Sequence, residues 1–423
     1  MRSLISAAPG PGHRRLQPTL LGLSFFNLLL VALLGLLLRA YPLLGLPFSY
    51  HNLLHGHSHF AFGGWVQPVL LALLLRAFPE LEARVSPGHW RAVTVLLLGA
   101  AWGMLLSFPV QGYAAVSIAF STLSIGAGAY LAVLCWRALR GLPPTPARRF
   151  LGRGLVWMLL SAIGPFATGP IAASGGLGSP LYHDAVYWYL HFQYNGFFSF
   201  AVLALLYRRF EKSGSTRGGQ RCFGLFSVAA LPSYALSVLW SDPGVLFHII
   251  GGAGAVLQLA ALAYLLRDLR ASRLLRTQPL LWLPMAALSL KLWLQAASAL
   301  PAVAQLAYRQ RPFVIAYLHL VLLGFVSGFV FAQFSTRPAF RRGAYLFFFS
   351  FVSTELLLLA QGAQVYLPAQ QQLLLVCSIP FPVGVLLMMR ALKKGQPVKY
   401  RPAGKPVLAT ARSVSTIRAS GVC

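Results

Sequence analysis

Apolar residues run through this chain in long blocks separated by short polar or Gly- and Pro-containing breaks. A membrane-spanning helix needs about 20 mostly apolar residues. Twelve blocks come close to that length or exceed it: 19–39, 51–76, 91–109, 113–136, 154–173, 184–207, 222–240, 244–266, 279–300, 312–334, 343–366 and 371–390. The pattern predicts an all-α integral membrane protein, a twelve-helix transmembrane bundle over 19–391. An N-terminal segment, 1–18, and a basic tail, 392–423, flank it.

Composition supports that reading. The 423 residues are 57% hydrophobic and 10% charged, against about 25% charged in soluble domains. The net charge of +28 does not form the single basic face that a nucleic-acid partner requires; the partner is a lipid bilayer. Basic residues lie in the loops after spans two, four, six, eight and ten: Arg76 and Arg84, Arg137 to Arg153, Arg208 to Arg221, Arg267 to Arg276, and Arg337 to Arg342. The alternate loops, such as PVQGY, SDPG and 174–183, carry almost no charge apart from Arg39, Arg309 and Arg311. The positive-inside rule then places both termini in the cytoplasm, with the chain in the cell's inner membrane. No small-residue cleavage site follows the first apolar run closely, so an uncleaved first span is expected. The tail from Lys393 is expected to be disordered and to lie against anionic lipid. Cysteines 135, 222, 377 and 423 show no paired or metal-type spacing.

The chemistry concentrates in His51 to Trp65, HNLLHGHSHFAFGGW, which holds four of the ten histidines within nine residues. Ionisable groups inside a membrane usually face a bundle interior and mark a cofactor or ion site. His55, His191, His248 and His319 each fall shortly after the outer start of spans two, six, eight and ten. At about 1.5 Å per residue they share one layer, as a ligand set for buried cofactors would. A lone buried histidine is more often a hydrogen-bonded core residue; several at matched depth on separate helices weaken that explanation. His51, His55 and His59 follow at i, i+4 and i+8 on one helix face, with His57 pointing elsewhere. Such a row can bind zinc through two histidines, or offer one axial haem ligand with a neighbour bonded to it. Gly56, Gly63 and Gly64 suit close approach of a flat macrocycle or close helix packing equally. Lys291 and Glu355, inside spans nine and eleven, are expected to pair with each other, with snorkelling or a proton path as alternatives. His248, Trp188 and Asp184 beside His183 take helix-end and interface roles by default.

These residues resemble a family, subunit I of the haem-copper oxidases and the related nitric oxide reductases. Span two of that family shows His-Gly before an apolar Phe-rich run, and here His55-Gly56 precedes Phe60 and Phe62. Span ten shows His-x-His before Val-Leu-x-Gly, and here Tyr317-Leu318-His319 precedes Val321, Leu322 and Gly324. Span six, YWYLHFQYNGFFSF, is similar to the reductase segment around the first active-site metal ligand, with His191 at that position and Asn195 and Ser199 where the reductases carry glutamates. The resemblance implies twelve spans with both termini inside, and one low-spin b-type haem clamped axially by His55 and His319. Arg309 and Arg311 become candidate propionate contacts and His191 a remnant ligand of a second metal. Tyr317 stands where the high-spin haem ligand is lost. Span seven departs from the family, with Ala235-Leu236 where consecutive histidines belong.

A binuclear oxygen- or nitric-oxide-reducing site therefore looks incomplete in the sequence, and copper or non-haem iron is not expected. Two axial imidazoles leave a haem that transfers electrons, in a respiratory setting with other electron-donor subunits as partners. Two alternatives stay open: a polytopic transporter using the span-two histidines for a metal or a proton relay, and an active terminal oxidase or reductase with an atypical site. Roles for His51, His57, His59 and His248 are not assigned by the sequence.

Overall fold

A computed structural model describes residues 13–393, and all regular structure within them is helical. The tail beyond Lys393, with Cys423, and the first twelve residues lie outside the described residues. The main segments are α1 (His13–Leu44), α2 (Tyr50–Ala77), α3 (Pro87–Gln111), α4 (Ala115–Leu139), α5 (Pro146–Gly176), α6 (180–213), α7 (Gly219–Ala229), α8 (Val245–Ser272), α9 (Pro279–Ala297), α10 (Arg311–Ala332), α11 (Pro338–Gly362) and α12 (Gln370–Lys393). Ten of them are long and apolar enough to cross a membrane.

α6 and α7 are not among those ten. α6 is long enough, but His191, Gln193, Asn195 and Ser199 interrupt its apolar run. α7 has only 11 residues and passes into a tight 3₁₀ turn, Pro232–Ser237. Proline lacks the N–H that would continue the ladder. The full-length apolar block 222–240 is thus a short helix plus a compact turn.

Helix starts follow local chemistry. Ser49 and Ser179 accept from the backbone N–H of Asn52 and Tyr182 at 3.3 and 3.2 Å, capping α2 and α6. Gly214, at φ 73°, ends α6 in the left-handed conformation that glycine adopts without strain.

Side-chain contacts sort the loops into two ends. Glu80 accepts from Arg148 and Arg208, Arg84 donates to the Ala138 and Arg140 carbonyls, Asp268 accepts from Gly218, and Arg337 donates to Ala391. The loops after the even-numbered helices therefore meet at one end, the arginine end. Tyr113 meets His59, Tyr234 meets Asp184, and Trp240 stacks on Tyr308 at the other, the histidine end.

Packing differs between the two halves. On the arginine side, 68–75 of α2 and 197–207 of α6 are buried throughout. Phe25, Trp65, Phe331, Phe334 and Phe340 knit α1, α2, α10 and α11 there through edge-to-face and tilted contacts. On the histidine side, Pro180–Leu190 has no buried residue, and Arg311–His319 buries only Ala316.

Candidate functional site

Three of the four helices that carry His55, His191, His248 and His319 change hydrogen-bond pattern close to these histidines. π-Helical turns occupy Ala61–Val66 in α2, His191–Phe198 in α6 and Leu320–Ser327 in α10. Such turns are rare and favour functional sites, because they re-aim side chains and loosen the i→i−4 ladder. Ser199 and Ser327 help satisfy the loosened backbone by donating to the carbonyls of Tyr194 and Leu322, five residues back, at 2.6 and 2.8 Å. Trp65 Nε1 donates to Ser327 Oγ at 2.9 Å, and Asn27 donates to the Gly64 carbonyl at 2.7 Å. These bonds tie the turn of α2 to that of α10 and to α1.

His319 precedes its π turn, and its Nδ1 lies 2.8 Å from Glu355 Oε1 on α11. A carboxylate only accepts, so Nδ1 carries the hydrogen, and in the neutral ring Nε2 presents a lone pair. Nε2 has no protein partner among the described residues, and the side chain remains 27% exposed. The expected Lys291–Glu355 pair is corrected here: Glu355 is held by His319, and Lys291 lies in a cavity with residues of α6 and α8. Arg39 of α1 is within electrostatic reach of Glu355.

His57 completes this cluster. Its ring packs on α1, where a Cβ on Gly35 would stand 3.3 Å from Cε1. It lies within electrostatic reach of His319 and Arg39 and interacts with the Val31 backbone of α1. Arg39, His57, His319 and Glu355, from four helices, thus gather in one place.

His55 points elsewhere. Its Nε2 is 2.9 Å from His51 Nε2, and its ring meets Tyr113 edge-on at 4.8 Å and Phe108 at 6.0 Å. His59 Nε2 and the Tyr113 hydroxyl share a hydrogen bond at 3.0 Å, and His59 stacks on Phe108 at 4.4 Å. The row His51, His55 and His59 therefore faces α3 and the α3–α4 loop. Glycine spacing in α2 serves helix packing: Gly56 meets Pro109, and Gly63 meets Ala101 and Met104.

His191 is wholly buried and fully bonded. Nε2 donates to the Ala230 carbonyl at 2.9 Å, while Nδ1 accepts from Asn195 Nδ2 at 3.1 Å and Ser237 Oγ at 3.2 Å. No ring nitrogen is left for a metal in this arrangement. His248 Nδ1 donates to the Ala299 carbonyl at 2.8 Å, a helix-end bond. Tyr317 donates to Gln295 Oε1 at 3.4 Å, with its ring 6.4 Å from Tyr194. Arg309 and Arg311 are exposed, and Arg311 is within electrostatic reach of His55. Among the described residues no group of three or more His, Cys, Asp or Glu is arranged to hold a metal ion.

Sequence reasoning singled out His319 and Glu355 separately but missed that they bond to each other, and it left His57 without a role. A signal was present for the first: Glu355 is an intramembrane carboxylate, which must find a partner. No protein-family model and no curated protein matches this chain.

Proposed function

We propose that this chain is a haem-binding membrane protein resembling subunit I of the haem-copper oxidases, holding one low-spin b-type haem for electron transfer. In this reading it spans the inner membrane twelve times, keeps both termini in the cytoplasm, and turns its histidine half outward. The observation that carries the proposal is His319: Nδ1 is fixed by Glu355, and Nε2 is left available. A ligating histidine almost always gives its other N–H to a carboxylate or carbonyl, which sets ring orientation and raises basicity. A second imidazole, that of His57, lies in the same cluster, which offers a haem iron two histidines from facing helices.

His55 is the span-two ligand favoured by the His-Gly motif. The direction of its ring toward His51 and Tyr113 supports His57 in that role instead. Arg39 beside Glu355 and Arg311 near His55 are cations suited to propionates. Held by two histidines, the haem would supply one-electron transfer. Glu355 holds the proton on His319 Nδ1, and the π turn sets the ring's direction. With both nitrogens of His191 engaged, a second redox metal at that position is left out of the proposal.

A reduced-minus-oxidised spectrum of protein purified from haem-replete cells tests this. A sharp α-band that does not move with carbon monoxide is expected. Absence of a Soret band would overturn the proposal, and a carbon monoxide shift would restore an oxidase-type open site.

One observation favours a second reading. The Nε2 atoms of His51 and His55 approach to 2.9 Å, a pair suited to a transition metal in a transporter. Metal content without haem, lost in His51→Ala, distinguishes it.

A further inference from the structure

Lys291 is 3% exposed inside α9, and none of the salt bridges among the described residues includes it. A buried ammonium without a carboxylate is costly, by several kcal/mol in order of magnitude. It lies in an internal cavity that Asn195 and Ser199 of α6 and Gln258 of α8 also line. Two of these neighbours carry orphaned atoms: Asn195 Oδ1 and Gln258 Oε1 are buried and accept no hydrogen bond. Each amide nitrogen gives one of its hydrogens, Asn195 Nδ2 to His191 at 3.1 Å and Gln258 Nε2 to Ser233 Oγ at 3.1 Å, so the oxygens are the atoms left with no bond at all. The Ser199 hydroxyl hydrogen goes to the Tyr194 carbonyl, leaving its lone pairs.

Apart from the ammonium, the wholly unbonded polar atoms of the residues lining this cavity are acceptors. An anion does not fit acceptors, and an apolar molecule leaves them unpaired. A ligand that both donates twice and accepts once satisfies all of them, and water is the smallest. Phe200, Leu203 and Leu288, each 1% exposed, close the cavity with apolar surface. The polar side chains continue toward the histidine half: Gln295 lies one turn along α9 from Lys291 and accepts from Tyr317.

We propose that this cavity is a hydrated proton-exchange site inside the bundle, where water bridges Lys291 to Asn195 and Gln258. The ammonium gives its proton to the bridging water and keeps the electron pair as a neutral amine; the reverse step takes the proton back. Of the titratable groups nearby, His191 of α6 is within electrostatic reach of Lys291, and Tyr317 of α10 lies beyond Gln295 with Tyr194 of α6 beside it. α7 and α8 contribute Phe226, Ala230 and Gln258, none of which titrates. The site does not depend on haem.

Two measurements on the full chain in lipid nanodiscs test it. Radiolytic hydroxyl labelling reports bound internal water: Leu288 and Phe226 are expected to be oxidised at least ten-fold faster than Leu151 and Phe150, which are as buried or more so. Gln258→Leu, which removes one acceptor, is expected to abolish that excess. In ¹⁵N-lysine spectra, the signal lost in Lys291→Met is expected to move reversibly with pH. Labelling no faster than at Leu151 and Phe150 overturns the hydration, and a pH-invariant Lys291 signal overturns the proton exchange.

Discussion

His191 and His319 stand at comparable places, one opening a π turn of α6 and the other immediately preceding a π turn of α10. Their surroundings diverge. His191 is sealed, with a carbonyl, an amide and a hydroxyl consuming both nitrogens. His319 is held on one side only, by a carboxylate, and keeps a nitrogen and a quarter of its surface uncovered. A histidine with both nitrogens committed is structural, and one oriented through a single nitrogen is prepared to bind. Proximity to a π turn, common to both, does not separate them.

The comparison breaks most directly in paired variants. His319→Ala is expected to lower bound haem more than ten-fold by Soret absorbance, while His191→Ala retains it. Equal loss in both would erase the distinction. On α2, His57→Ala is expected to match His319→Ala, and His55→Ala to stay within about two-fold of wild type; the opposite result returns the ligand to the motif's His55. Glu355→Ala, which frees Nδ1 of His319, should weaken haem binding about 10- to 100-fold, and Glu355→Gln less, since it still offers an acceptor. Haem titration of the apoprotein measures both.

The sealed histidine shows itself in stability instead. His191→Ala orphans the Ala230 carbonyl and the Asn195 amide, and is expected to cost about 3 kcal/mol in detergent unfolding. The smallest effect belongs to the bond between π turns. Ser327→Ala leaves Trp65 Nε1 without its acceptor and should cost about 1 kcal/mol, with haem content unchanged.

Much of the fold was legible in the sequence. Long apolar blocks specify membrane helices because an unbonded backbone is intolerable in hydrocarbon, and the ten helices that meet the length and apolarity of a span coincide with ten of the twelve blocks. Arginine spacing foretold that the loops after even-numbered helices share an end, and the Glu80–Arg148–Arg208 contacts join three of them. The block 222–240 misled, because apolarity does not register that Pro232 stops a helix.

The site was legible only as residue types. The sequence by itself determined which titratable side chains lie within long apolar blocks: His55, His57, His191, Lys291, His319 and Glu355. Their partners were decided by tertiary structure. Glu355 meets His319 and not Lys291, and His57 turns to α1 while His55, two residues away, turns to α3. A shift of two residues rotates a helical side chain by about 200°, so the packing of neighbouring helices selects what each one faces. Hydrophobic periodicity fixes burial by summing over many residues, whereas a hydrogen bond depends on the placement of two atoms, which only the assembled bundle supplies.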